Sequence, residues 1–280
     1  MVPMPSPALP IVTSLANPRV RAATALRNRR ERDRSGLTLV DGARELRRAL
    51  DAGVTVVEAF VCEPLLAGPD ARVALDRLRS GGMTLLPTNE PVFAKLAFGQ
   101  RAEGLLVVIR IPMVGLDHLS LPERPLIVVI EGLEKPGNLG AILRTADGAG
   151  ADAVITASPR TDLFNPNAIR ASAGAIFSMP LGSATTEATL QWLTARGIRV
   201  VAARVDAARS YTEADLTGPL AIVLGTEAAG LSEAWLAAEV EAVRIPMLGV
   251  ADSLNVSVSA AILLYEARRQ RGGPAGTGTL

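Results

Sequence analysis

Apolar positions along the chain fall into two series of short runs separated by stretches of helical spacing. The first series has β-rich runs at Leu37–Asp41, Val56–Cys62, Met83–Leu86 and Leu105–Ile109. Helical spacing lies between them at Gly42–Ala52, Ala71–Ser80 and Glu90–Phe98. This alternation predicts a small α/β domain over residues 15–110. The second series places strands at Leu126–Glu131, Ala153–Thr156, Arg199–Ala203, Leu220–Leu224 and Ala242–Ile245. Helices fall between them, and an apolar helix, Val256–Gln270, closes the series. The run Leu126–Ile130 has no polar member. A strand without a polar face is covered on both sides, so residues 126–271 are predicted to form a parallel sheet between helices.

Breakers set the boundaries. Residues 111–125 carry Pro112, Gly115, Pro122 and Pro125 and read as a linker. Residues 1–14, interrupted by Pro3, Pro5, Pro7 and Pro10, read as a flexible tail. Residues 272–280, rich in Gly and Thr, read as a disordered tail. The stretch Gly148–Ala153 matches G-x-G-x-x-A, but it follows a helix and leads into a strand. A dinucleotide-binding turn needs the opposite order, so this is read as a glycine turn ending a helix.

Composition narrows the function classes. Apolar residues make up 49%, enough for a proper core, and the net charge is only +1. That balance hides an asymmetry. Residues 1–110 hold 16 Lys+Arg against 11 Asp+Glu, whereas residues 111–280 hold 13 against 17. The split suggests that the first half meets a polyanion. Cys62 and His118 are the only residues of their types. A disulfide framework or thiolate metal site is therefore excluded, and any His-based triad or zinc site would rest on His118 in the linker. No metal is expected. The N-terminus lacks a basic region ahead of its apolar residues, and no apolar run reaches the length of a membrane span. A soluble, cytoplasmic protein with no membrane association is expected.

Three polar, glycine-bearing segments stand at the C-terminal ends of expected parallel strands, the edge where open α/β sheets bind ligands. They are Glu131–Thr145, Ile222–Leu231 and Ile245–Ser259. Read singly, Asn138 is an N-cap, Arg144 a surface residue, Glu227 a solvated loop acid, and Ser253 and Asn255 helix caps. Together they argue for a site but not for a reaction.

The reaction comes from a resemblance. The first segment resembles the N-x-G-x-x-x-R motif of SpoU (TrmH-like) RNA 2′-O-ribose methyltransferases through Asn138, Gly140 and Arg144. The second resembles L-G-x-E-x-x-G through Leu224, Gly225, Glu227 and Gly230. The third resembles I-P-M…S-L-N-V-S through Ile245, Pro246, Met247, Ser253, Leu254, Asn255 and Val256. Arg170–Phe177 is similar to the family's R-A-S-x-G-x-x-F stretch. More weakly, Asn17-Pro-Arg-Val-Arg21 and the basic helix after it resemble the L30e-like substrate-binding domain often fused to these enzymes.

The resemblance implies a SPOUT-type trefoil-knotted domain, although knots are rare, and a homodimer with its site at the subunit interface. It implies S-adenosylmethionine held by Gly225, Ile245 and Leu254 and the loops that bear them, with Leu224, Met247 and Ala203 alongside. Asn138, Arg144, Glu227, Ser253 and Asn255 would meet the RNA ribose-phosphate and carry the catalysis. Arg144 is proposed in the family as the base. A guanidinium stays protonated, so a phosphate clamp that also stabilises the developing alkoxide is physically easier. Arg19, Arg21, Arg27, Arg29 and Arg30 are the expected RNA contacts of the first domain. The resemblance favours structured ribosomal RNA, most of all 23S rRNA. A tRNA methyltransferase and a non-catalytic RNA-binding protein of the same fold stay open as alternatives. Arginine outnumbers lysine 27 to 2, a bias of GC-rich genomes, in some of which family members give resistance to thiostrepton or to orthosomycins such as avilamycin.

Overall fold

The structure is a computed structural model and describes residues 9–97, 103–226, 230–237 and 239–272. Its contacts divide the chain into two compact units. One comprises Met1–Pro112 with Phe164–Ser178, the other Met113–Leu163 with Met179–Leu280.

The first unit opens with two short helices, α1 (Pro18–Ala25) and α2 (Arg29–Ser35), where the sequence suggests one basic helix. The break has local causes. Asn17 and Asn28 each cap a helix start, accepting the Arg19 and Arg30 backbone N–H groups at 2.9 Å. Gly36, at φ 65°, ends α2 in the left-handed conformation. There follow β1 (Leu37–Asp41), α3 (Ala43–Asp51), β2 (Val56–Val61), α4 (Gly68–Ser80), β3 (Leu85–Pro87), α5 (Glu90–Leu96) and β4 (Leu105–Arg110). The sheet order is β1-β4-β2-β3, with β4 antiparallel to β1 and β2, and β2 parallel to β3. Leu39, Phe60, Phe93 and Leu106 sit in its core.

The second unit contains β5 (Leu126–Glu131), α6 (Pro136–Ala149), β6 (Ala153–Ala157), β7 (Leu181–Ala184), α8 (Thr186–Ala195), β8 (Arg199–Ala203), β9 (Leu220–Leu224), β10 (Val240–Val243) and α9 (Val256–Gln270). The short α7 (Pro166–Ala171), between β6 and β7 in sequence, belongs to the first unit. All pairings in the order β10-β8-β9-β5-β6-β7 are parallel. Every residue of β5 is buried, the apolar run Leu126–Ile130 as its pattern requires and the final Glu131 with it. Helix α8, Trp192 and Trp235 cover one face, while α6 and α9 pack on each other and α9 on β9. Gly150, at φ 69°, caps α6, which accounts for the G-x-G-x-x-A match as a helix end.

Three expectations shift. Residues 113–125 do not form a free linker: Leu116, Leu119 and Leu121 pack against the core of the second unit. Strand β7, Leu-Gly-Ser-Ala, has no β-branched residue and gave no strand signal. Residues 164–178 lie within the expected catalytic domain in sequence but pack with the first unit. There the Thr38 hydroxyl donates to the Phe164 carbonyl at 2.7 Å, and Arg48 donates to the Ala173 carbonyl at 2.9 Å.

Candidate active site

The C-terminal ends of β8, β9 and β10 open into loops, and the start of α9 lies beneath them. These elements enclose a cavity of about 530 Å³, within the range of small-molecule and cofactor sites. Leu224, Gly225, Ile245, Met247, Leu254 and Ala203 all line it, as does Ser253. All six positions expected to contact the cofactor thus share one cavity.

Gly225 is fixed there by space. A Cβ at this position would stand 2.2 Å from the Gly230 carbonyl oxygen. The loop crosses itself at that neck, closed by Thr226 N–H to Gly230 O at 3.1 Å and Gly230 N–H to Thr226 O at 3.0 Å. Glu227 lies outside the described residues. The exit of the loop is tied to Glu131, at the end of the central strand β5. Glu131 Oε2 accepts the Ser232 backbone N–H at 2.7 Å, and Oε1 accepts the Ser232 hydroxyl at 2.6 Å and the Thr186 hydroxyl at 2.7 Å. Burial pushes the Glu131 pKa up, but the Ser232 and Thr186 hydrogen bonds outweigh it and hold the carboxyl below the ordinary glutamate value.

Asn255 is the N-cap of α9, accepting the Ser257 N–H at 2.9 Å, as its place before an apolar helix suggests. Asn138 is not an N-cap. Helix α6 starts two residues earlier, because Pro136 suits the first helical turn, and Lys135 takes the cap position. Asn138 instead joins the third segment: the Asn255 amide donates to its Oδ1 at 3.3 Å. Arg144 lies further along α6, exposed, and makes no hydrogen bond or ion pair among the described residues.

The five arginines expected to meet RNA are not equivalent. Arg27 donates to the Lys95, Leu96 and Ala97 carbonyls at 2.8, 3.3 and 2.6 Å, satisfying the end of α5. Arg19 pairs with Glu58, and Arg29 lies 3.4 Å from Asp33. Arg21 and Arg30 are exposed and make no side-chain hydrogen bond or ion pair among the described residues.

Sequence reasoning missed Arg204, Asp206 and Asp252, which also line the cavity. Arg204 and Asp206 neutralise each other at 3.0 and 2.6 Å. Asp252 is exposed, with no such partner among the described residues. Polar residues just beyond the end of β8 were the available signal. Glu131, an acid ending an apolar strand, was visible too, but its partners lie 55 and 101 residues away.

The sequence pattern of the SpoU rRNA methylase family matches residues 125–265, and that of the MRM3-like substrate binding domain matches residues 17–107. The chain belongs to the SpoU rRNA methylase family. A 23S rRNA (uridine(2479)-2′-O)-methyltransferase of Streptomyces viridochromogenes is 32% identical over 255 residues, covering 88% of this chain and 87% of its own. Among solved structures, an RNA 2′-O ribose methyltransferase is 44% identical with a TM-score of 0.82, over 93% of this chain and 99% of that one. An AdoMet-bound rRNA methyltransferase from Sinorhizobium meliloti is 30% identical with a TM-score of 0.84, over 93% and 97%.

Proposed function

We propose that the chain transfers a methyl group from S-adenosylmethionine to a ribose 2′-hydroxyl in 23S rRNA. The observation that carries this reading is the single cavity into which Ala203, Leu224, Gly225, Ile245, Met247 and Leu254 converge. Its walls fit the cofactor. Leu224, Ile245, Met247 and Leu254 supply an apolar bed for adenine, the loops offer backbone donors and acceptors, and Asp252 brings an anion to a ligand that carries a cationic sulfur. When bound, the cofactor supplies a methyl group on a sulfonium centre open to in-line attack. The chain's own residues do the rest by alignment and charge. The Asn138–Asn255 contact joins the first and third segments beside the cavity. Arg144 keeps its guanidinium available for the phosphate next to the reacting ribose, where it also stabilises the alkoxide as the hydroxyl proton passes to solvent water and the sulfur leaves as S-adenosylhomocysteine. Ser253 and Glu227 complete the set that meets the ribose.

A homodimer is part of this reading. Helix α9 exposes Val258 and Tyr265, with Ile262 half-buried between them on the same face, and a second copy would cover that face. The family likeness also supports a trefoil-knotted second unit and an enzyme working in the cytoplasm, where ribosomal RNA is found. The likeness to the Streptomyces viridochromogenes enzyme favours the large-subunit RNA over tRNA. A drug-resistance role is the finer reading, and the arginine bias of the chain is what supports it.

The test is to map 2′-O-methyl groups in rRNA and tRNA from cells with and without the gene, and to repeat the transfer with purified protein and labelled cofactor. A gene-dependent site in 23S rRNA is expected. A site only in tRNA, or none in either, overturns the reading. Drug sensitivity of the same two strains tests resistance, and light scattering tests the dimer.

A further inference from the structure

Glu131 stands at the end of the central strand, 7% exposed, and does not line the cavity. No arginine or lysine pairs with it among the described residues. Its charge is met by the dipoles of Ser232 N–H, Ser232 O–H and Thr186 O–H, and the Trp235 indole also faces it and helps to hold its pKa down. Thr186 is itself held: its N–H donates to Ser158 Oγ at 3.0 Å, and the two hydroxyls lie 3.1 Å apart. Ser158 adopts φ 47°, a conformation a serine rarely takes. One buried carboxylate thus gathers the loops that follow β6, β7 and β9.

The loop after β9 gains most. It leaves the strand at Gly225, crosses itself at Thr226 and Gly230, and ends at Ser232. Gly225, Thr226, Gly230 and Leu231 all form the cavity wall. The neck ties Thr226 to Gly230, and Glu131 fixes where Ser232 sits against the sheet. The backbone N–H of Ser232 can only donate. A carboxylate offers acceptors alone, so it satisfies all three partners at once, whereas a glutamine would bring an NH2 donor to the same group.

We propose that Glu131 is a positioning residue that holds Gly230–Ser232, the part of the cavity wall tied to it, in the cofactor-binding form. This rests on reading the cavity as the S-adenosylmethionine site. The bond set also explains why a buried carboxylate without a cationic partner is kept at the strand end: its hydrogen bonds offset the cost of burying the charge.

The test uses the full chain with Glu131→Gln, and Ser232→Ala as a milder variant that keeps the backbone N–H. Cofactor affinity is measured by calorimetry with S-adenosylmethionine, and kcat and KM by methyl transfer to rRNA. Trp235, buried just beyond Ser232, faces Glu131 itself, so its emission reports the loop exit in Ser232→Ala, which leaves Glu131 in place, read in a Trp192→Phe background since the chain has two tryptophans. In Glu131→Gln, Kd and KM for the cofactor are expected to rise about tenfold or more, the scale of a lost charge-assisted hydrogen bond. At saturating cofactor, kcat and the KM for RNA are expected to change far less. In Ser232→Ala, Trp235 emission is expected to shift red without cofactor and to recover with it. Ser232→Ala is expected to shift Kd in the same direction by a smaller factor, which keeps the test alive if Glu131→Gln does not fold. A folded Glu131→Gln protein with wild-type Kd overturns the proposal, as does Ser232→Ala with unchanged Kd or wild-type emission. If the wild-type chain binds no S-adenosylmethionine, the reading of the cavity fails instead. The emission of Trp235 in Ser232→Ala then still decides whether the Glu131–Ser232 bonds seat the loop exit.

Discussion

Asn255 donates its amide to Asn138 Oδ1 at 3.3 Å while its own Oδ1 accepts the Ser257 N–H that begins α9. One side chain therefore both starts a helix and links two segments that lie 117 residues apart. The two duties separate by substitution. Asn255→Ala loses both and is expected to cost about 1 kcal/mol of stability, the usual worth of an N-cap. Asn255→Ser keeps a cap but is too short to reach Asn138. It is expected to recover most of the melting temperature in a thermal scan but little of the methyl transfer. A serine variant with wild-type turnover would reduce Asn255 to a cap.

Gly225 leaves no room for a side chain. The Cβ of Gly225→Ala would fall 2.2 Å from the Gly230 oxygen and 2.3 Å from the Gly230 carbonyl carbon. Both are backbone atoms and cannot turn aside, so the neck of the loop must open. The variant is expected to fold, because the neck lies at the end of a sheet and not in its core. Its affinity for S-adenosylmethionine by calorimetry is expected to fall about tenfold or more, in line with the few kcal/mol that such backbone strain costs. Unchanged affinity would mean that the neck does not shape the cofactor site.

Arg144 makes no hydrogen bond or ion pair among the described residues, so its removal takes little from the fold. Arg144→Ala is expected to change stability by no more than about 0.5 kcal/mol. Methyl transfer should be abolished, while cofactor affinity stays near wild type because Arg144 does not line the cavity. Arg144→Lys is expected to be poor as well, since an ammonium cannot make the planar paired contact with a phosphate. Lysine turnover close to wild type would sink the clamp.

Much of this was legible in the chain, for reasons that differ by element. Strand β5 announced itself because a strand buried on both faces must be apolar throughout. Helix α9 was legible at both ends, with Asn255 as its cap and Arg268 and Arg269 in its last turn. The cavity residues came from motif resemblance, and the structure gathers them at one sheet edge. What was hidden depends on contacts distant in sequence. Nothing local tells that Phe164 and Ala173 pack with β1 and α3, or that Leu116 and Leu119 flank Gly182. A fragment starting near Pro122 would strip residues 164–178 of those partners, so cofactor binding is a measurement for the full chain. Arg27 misled because a cation in a basic run looks the same whether it faces solvent or caps a helix.

That ambiguity sets the last prediction. If the first unit holds RNA through phosphate contacts near its N-terminal basic run, exposed, unengaged guanidinium groups make them, and of the five arginines expected there these are Arg21 and Arg30. The Arg21→Ala, Arg30→Ala double variant is expected to keep wild-type stability and cofactor affinity while binding rRNA more weakly. Each lost phosphate contact removes about 0.7–0.9 from the slope of log affinity against log salt, so the slope should flatten by about 1.5. Arg27→Ala should behave differently. It leaves the Lys95, Leu96 and Ala97 carbonyls without their donor, at a cost of about 0.5–1.5 kcal/mol. Its defect is expected as a lower melting temperature, with the salt slope unchanged for the folded fraction. Filter binding across a salt series, with a thermal scan of each variant, separates the two. A double variant with the wild-type slope would show that this surface does not carry the RNA, and the acceptor for the phosphates would have to be sought on the second unit.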